Sequence, residues 1–348
     1  MFYIHSSSCI WAQQFLFDDV ATNLQEPVEK KMYAVEPSYS NIPPAILRRM
    51  GKAVRLTVGA AIPLVENNEK PNGIIIGTTN AGKDDCVKFL NQILEYNEGM
   101  LTPMNFVQST PNAPAAQIGL LTKNYGYNIT HSQLGLSFEY AILDADMMLE
   151  ENPTHNYILG AVDELSEYNF IFQEKLGTYK NENTTLAQLY NSNTKGCIAG
   201  EGAAIFYVNK NKIGATAKLV GIDTLHTEDE NILQEKFILF LNTNKINSND
   251  IDLFLSGENG DNRLDKFYNI ITDNISNNST TARYKHLSGD FPTATSIALW
   301  LASNIVHTQV LPSILINKDC KKSVYKNILI YNNYNGLQHS FMLVSVVG

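Results

Sequence analysis

Apolar runs that can be buried on both faces alternate along this chain with segments whose apolar positions recur at helical spacing. That alternation predicts an α/β protein built on a mostly parallel or mixed buried sheet. "GIIIGTT" (73–79), "NYILGAVDEL" (156–165), "AAIFYVN" (203–209), "IDLFLSG" (251–257) and "HSFMLVSVV" (339–347) read as strands. After the first of them, "KDDCVKFLNQILEYNEG" spaces Val87, Phe89, Leu90, Ile93 and Leu94 as one helix face. "LSFEYAILDADMMLEE" and "TATSIALWLASNIVHTQV" read as further helices, and the Asn-rich pieces "YKNENTTLAQLYNSNTKG" and "TDNISNNSTTARY" as surface loops or caps. The order strand, helix, strand occurs in both parts of the chain. It predicts two duplicated α/β halves, 1–210 and 211–348, in one compact unit.

Composition narrows the function classes. The 348 residues are 44% hydrophobic and only 18% charged, with a net charge of −9. An acidic chain without clustered Lys and Arg is a poor match for nucleic acid or an anionic membrane surface. No apolar run reaches the roughly 18 residues of a membrane span, and the apolar start "MFYIHSSSCIWAQQFLF" lacks the basic leading region of an export signal. Cys9, Cys86, Cys197 and Cys320 are scattered without CxxC spacing, which signals neither a zinc site nor a disulfide framework and suits a reducing cytoplasm.

The stretch "IIIGTTNAGKD" (74–84) raises nucleotide binding, because Gly77, four residues, then Gly82 and Lys83 nearly spell a phosphate-cradling loop. That loop needs Ser or Thr after the lysine to ligate magnesium. Asp84 stands there instead and would repel a triphosphate.

Taken together and in order, several stretches resemble the β-ketoacyl synthases of the thiolase fold, which condense acyl chains on carrier proteins. "GIIIGTTNAG" is similar to the family's strand and glycine turn, "STPNAPAAQIGLL" to its proline-asparagine-alanine segment, and "ILGAVDEL" to the strand ending in a Gly-Gly-x-Glu-like turn. "GEGAAIFYVN" resembles the strand closing the first half, and "KHLSGDFPTATSIALWLA" the lysine loop and long helix of the second. The resemblance spans about residues 35–348. It implies a thiolase-like fold, two α/β halves in a five-layered αβαβα arrangement, with no cofactor or metal. Under it the turn at 77–82 is a family turn and not a phosphate loop.

The resemblance also says where condensing chemistry would sit. The family places a cysteine thiolate at a strand-to-helix elbow, where helix N-terminal N–H groups steady an oxyanion. Six residues after that cysteine comes an alanine and then an apolar residue. Ala141 and Ile142 in "NITHSQLGLSFEYAI" fit and make Gly135 the nucleophile position. A second register puts Gln133 there, as in chain-length factors. The two family histidines fall on Gly257, between Asp252 and Asp265, and on Asp290, at the end of "KHLSGD", where Lys285 and Gly289 are retained. The C-terminal glycine-rich loop reads "YNNYNGLQH" and keeps only Gly336. An ionised aspartate accepts hydrogen bonds and cannot donate one to a thioester oxygen.

The resemblance therefore implies a ketosynthase-like chain with none of the Cys-His-His set, paired with an active ketosynthase or with itself and serving an acyl carrier protein. Lys285 reads as an ion-pair partner of Asp290, Cys197 as a small buried hydrophobe, and Glu258 and Asp261 as solvated loop carboxylates. His131 and Ser132 beside the elbow, or Asp290, leave a hydrolase or acyltransferase open. A homodimeric protein that binds acyl chains or the carrier is a further alternative. "YGYNITHS" is expected to form the dimer edge.

Overall fold

The computed structural model describes residues 1–14, 17 and 24–348; residues 15 and 16 of the apolar N-terminal stretch lie outside them. Five strands build the first half: β1 (Tyr3–Ile10), β2 (Gly73–Gly77), β3 (Tyr127–His131), β4 (Asn156–Asp163) and β5 (Gly202–Asn209). Five more build the second: β6 (Ala217–His226), β7 (Leu253–Ser256), β8 (Thr280–Arg283), β9 (Asn327–Tyr334) and β10 (Gln338–Ser345).

In space the first set runs β3-β2-β4-β5-β1 and the second β8-β7-β9-β10-β6. Strand sense repeats as well. β2 is parallel to β3 and β4, and β7 is parallel to β8 and β9, while the remaining pairs in each set are antiparallel. The sets join where Tyr3 and Ile4 of β1 meet Lys218 and Ala217 of β6. A short strand at 316–318 covers the outer edge of β8. At the other end β3 pairs on one side only among the described residues.

Among the described residues, the longer helices that complete the layers are α1 (Lys52–Asn67), α2 (Lys83–Glu95), α3 (Ala113–Thr122), α4 (Ser137–Glu151), α5 (Glu167–Lys175), α6 (Glu230–Thr243), α7 (Asp265–Asn274) and α8 (Thr295–Thr308). The period of two along each strand decides which layer a side chain joins. Ile74 and Ile76 face α1 and α3, whereas Ile75 faces inward, where α4 and α8 lie between the two strand sets. Phe254, Leu329, Tyr331 and Phe341 face α6 and α7 on the far side. This is the five-layered αβαβα thiolase-like arrangement.

Because both faces of each sheet are covered, strands such as "GIIIG" carry no polar side at all. α6 starts where Asp229 caps the backbone N–H groups of Asn231 (2.7 Å) and Ile232 (3.3 Å).

"TDNISNNSTTARY" is not all loop. Thr280–Arg283 is the buried strand β8, parallel to β7. Its polar Thr-rich sequence gives no apolar run, but β-branched threonines suit a pleated strand, and Ser279 Oγ adds a bond to Ile251 O at 2.6 Å. No helix among the described residues is long and apolar enough to cross a membrane.

Candidate functional site

The elbow between β3 and α4 lies beside the C-terminal ends of the first sheet. Leu134 adopts φ 53°, a left-handed conformation that costs a non-glycine residue about 1–3 kcal/mol unless its surroundings enforce it. Two hydroxyls enforce it here. Thr79 Oγ1 donates to Leu134 O (2.9 Å) and lies 2.8 Å from Ser137 Oγ, which accepts from Gln133 N (2.8 Å).

Gly135 is buried against Tyr334. A Cβ at position 135 would sit 2.8 Å from Tyr334 Cδ1 and closer still to its Cβ and Cγ. The position expected for a nucleophile thus has neither a side chain nor room for one. Its backbone N–H donates to Gln338 Oε1 at 2.9 Å, and Gln338 Nε2 returns a bond to Gln133 O at 3.3 Å. The elbow donor that could meet an oxyanion is already spent.

Across the cleft, Asp290 and Lys285 form an ion pair at 2.8 Å, with Lys285 1% exposed. The other carboxylate oxygen of Asp290 accepts from Asn259 Nδ2 at 2.7 Å. Gly257 packs tightly, since a Cβ there would be 2.5 Å from Asn332 Oδ1. Tyr268 donates to Gly257 O (2.7 Å), and Gly257 N–H donates to Tyr331 O (2.8 Å). No imidazole stands at either position.

Thr79, Lys83, Leu134, Asn259, Asp290 and Tyr334 line a cavity of about 520 Å³ between the halves. Cys197 lines it too, and burial, then Asp290, pushes its thiol well above the ordinary value. It is not poised as a thiolate. Asp261 and Glu258 correct the sequence-based expectation of solvated carboxylates. Asp261 is 5% exposed and takes Arg263 Nε on both oxygens (2.9 and 3.0 Å), while Glu258 pairs with Arg283. Arg263, two residues on, pairs with Asp261, and Arg283, distant in the chain, pairs with Glu258.

His131, Ser132 and Gln133 do not line the cavity. His131 Nε2 lies 2.9 Å from Asp144 Oδ2, and Tyr127 donates to the same carboxylate, so the pair ties edge strand β3 to α4. The structure therefore does not assemble His131 and Ser132 with Asp290.

The turn after β2 also shows why no phosphate loop forms. Asp163 reaches in and accepts from Thr78 Oγ1 (3.1 Å), Thr79 N (2.8 Å) and Asn80 N (2.5 Å). Its second oxygen accepts from Thr293 N (3.0 Å) and Thr293 Oγ1 (2.8 Å) in the other half. The N–H groups a phosphate would need are taken by a carboxylate. Lys83 Nζ meanwhile donates to Asn80 Oδ1 at 2.6 Å.

Sequence reasoning passed over Asp163, Tyr334, Gln338 and Glu139. Glu139 is fully buried on α4 and bonded to Ser340 Oγ at 2.8 Å, and burial raises its carboxyl to about 7. Between the ordinary value of 4.5 and about 7 the folded chain holds this proton and the unfolded chain does not, so stability falls as pH rises through that window. Glu139→Gln is expected to flatten that slope and to be more stable than the native protein above the window. Urea denaturation across pH checks it; an unchanged slope would contradict the assignment.

Residues 22–187 match the family model for the N-terminal domain of β-ketoacyl synthases. Over that stretch the sequence resembles a β-ketoacyl synthase. No curated protein matches this chain. The whole chain superposes on the ishigamide ketosynthase/chain length factor with a TM-score of 0.80 at 14% identity, over 100% of this chain and 99% of the other. A β-ketoacyl synthase from Burkholderia phymatum STM815 gives the same TM-score, identity and coverage. The complex of ketosynthase ApeO with its chain length factor ApeC from Xenorhabdus doucetiae gives 0.78 at 14% identity, over 99% of this chain and 98% of that one. At such identities the likeness is one of fold.

Proposed function

We propose that this chain is a non-catalytic, chain-length-factor-type partner of an active ketosynthase in a cytoplasmic fatty acyl, polyketide or polyene pathway. The observation that carries the reading is the elbow. Tyr334 fills the space beside Gly135, Gln338 occupies the Gly135 N–H, and Asp290 is held by Lys285 and Asn259. Each part needed for thioester attack is absent or already bonded, while the fold around them is whole. The solved ketosynthase and chain length factor complexes that share this fold support the same reading. So does the repeated strand order, which favours 1–210 and 211–348 as the two halves.

A partner has a place to sit. β3 ends the sheet, and Leu120 (72%), Tyr125 (92%) and Met147 (64%) stand exposed on the helix, loop and helix flanking it. An apolar-flanked bare edge invites strand pairing. The dimer axis falls at residues 124–135 in this reading. A ketosynthase of the same pathway, co-expressed with this chain, is expected to co-purify as a one-to-one heterodimer, with the acyl carrier protein binding the pair. Sedimentation at micromolar concentration decides. A stable monomer would remove the structural basis of the proposal, and a homodimer into which no ketosynthase exchanges would favour an acyl- or carrier-binding protein.

A further inference from the structure

In an Asn-Gly pair the side-chain carboxamide is open to attack by the next backbone nitrogen, because glycine puts no side chain in the way. The chain holds three such pairs: Asn72-Gly73, Asn259-Gly260 and Asn335-Gly336. Two are tied down. Gly73 lies in the β2 ladder, and Asn72 Oδ1 accepts from Asn156 N at 3.0 Å. Asn259 is buried, its Nδ2 donates to Asp290 (2.7 Å), and its Oδ1 accepts from Asp261 N (3.0 Å). Asn335 differs, since it stands exposed at the tip of the β9–β10 hairpin with its carboxamide beside the Tyr334 hydroxyl. Leu337 N–H closes that turn onto Tyr334 O at 3.2 Å, and Asn335 and Gly336 take φ 55° and 73°, the sense this dipeptide favours. What restrains the pair is the Gly336 N–H, which donates to Oδ1 of the fully buried Asn333 at 2.8 Å. Asn333 is itself fixed, by its N–H on Tyr268 Oη (3.2 Å) and its Nδ2 beside His339 Nδ1 (3.0 Å).

We propose that Asn335 is a self-modification site, which deamidates to aspartate and isoaspartate at a rate set by how often the Gly336 N–H leaves Asn333. The Gly336 nitrogen gives up its proton to hydroxide and attacks Asn335 Cγ. A cyclic imide closes as the new N–Cγ bond forms, the Cγ–Nδ2 bond breaks, and ammonia departs with a proton returned by water. Water then adds to either imide carbonyl, and opening of the ring leaves aspartate or isoaspartate. The balance is one water consumed and one ammonia released. While the bond to Asn333 holds, the attacking nitrogen is engaged and the reaction waits for the turn to open. Either product sets a carboxylate on the cavity wall that Asp261 and Asp290 already line. Isoaspartate also adds a backbone carbon to the turn, which disturbs the pairing of Tyr334 with Gln338, the two residues that close on Gly135. The modification therefore loosens the elbow as the molecule ages.

The full chain, kept folded at mildly alkaline pH and sampled over days, is mapped by peptide mass spectrometry with fragmentation that separates aspartate from isoaspartate. Both products are expected at position 335 before any change at 72 or 259, and Asn335→Gln is expected to lose them over the same interval. Modification at 72 or 259 ahead of 335, none at 335, or product persisting in that peptide of Asn335→Gln overturns the assignment. Asn333→Ala frees the Gly336 N–H and is expected to react about two- to tenfold faster, the worth of one hydrogen bond. An unchanged rate in the folded variant overturns the gate. Should Asn333→Ala not fold, the native chain is compared in buffer and in unfolding urea, where the rate is expected to rise; equal rates overturn the gate in the same way. The isoaspartate form, separated by ion exchange, is expected to melt below the unmodified protein. Equal melting temperatures would overturn the loosening of the elbow.

Discussion

Gly135→Cys is expected not to condense acyl groups and to fold less stably than the native chain. The new Cβ would lie 2.8 Å from Tyr334 Cδ1 and closer to the rest of that side chain, so the elbow or the ring must shift. Overpacking of this kind costs about 1–3 kcal/mol. A thiol forced into place still finds the Gly135 N–H bonded to Gln338 Oε1 at 2.9 Å, and no imidazole stands at position 257 or 290 to donate. Each missing oxyanion-type donor is worth about 3–4 kcal/mol of barrier, and loss of a nucleophile alone costs on the order of 10⁶ in rate. Intact mass after incubation with acyl-loaded carrier or an acyl thioester is the measurement for both proteins. The native chain is expected to show no adduct, and the variant no extended product. A stoichiometric adduct on the native chain would sink the non-catalytic reading and favour an acyltransferase or hydrolase. Extension by the single variant would mean that other residues supply the donors.

Lys285→Met is expected to cost about 3–5 kcal/mol of folding stability, because it leaves the Asp290 carboxylate in the interior with only Asn259 as a partner. A histidine at position 290 is not expected to help. Asp290→His strands the Lys285 ammonium, which is 1% exposed, without its carboxylate. Lys285→Met combined with Asp290→Asn removes both charges and is expected to recover most of the loss, since neither ion then remains unpaired. Urea denaturation of the three variants separates these outcomes. A Lys285→Met protein as stable as the native one would show that Asp290 is neutral or solvated.

Sequence alone determined the layers. "GIIIG", "NYILGAVDEL" and "HSFMLVSVV" are apolar on both faces, which only a sheet covered on both sides can use, and the helical spacing of Val87 to Leu94 or of 295–308 admits no other element. That Gly135, Gly257 and Asp290 carry neither a thiol nor an imidazole was legible too, because residue type is a one-dimensional fact. β8 was not legible, since Thr280–Arg283 owes its strand to neighbours on both sides rather than to its own polarity. Glu258 and Asp261 looked solvated because a carboxylate in a loop is judged by its own charge; Arg263 stands only two residues from Asp261, but only folding buried Asp261 and brought Arg283 to Glu258. The closed elbow belongs wholly to the tertiary structure. Tyr334 and Gln338 stand about 200 residues from Gly135 along the chain, and no periodicity or propensity couples positions so far apart. What brings them together is the packing of the second half's last hairpin against α4 and the elbow, so a glycine that reads as a mere absence becomes the space another residue occupies.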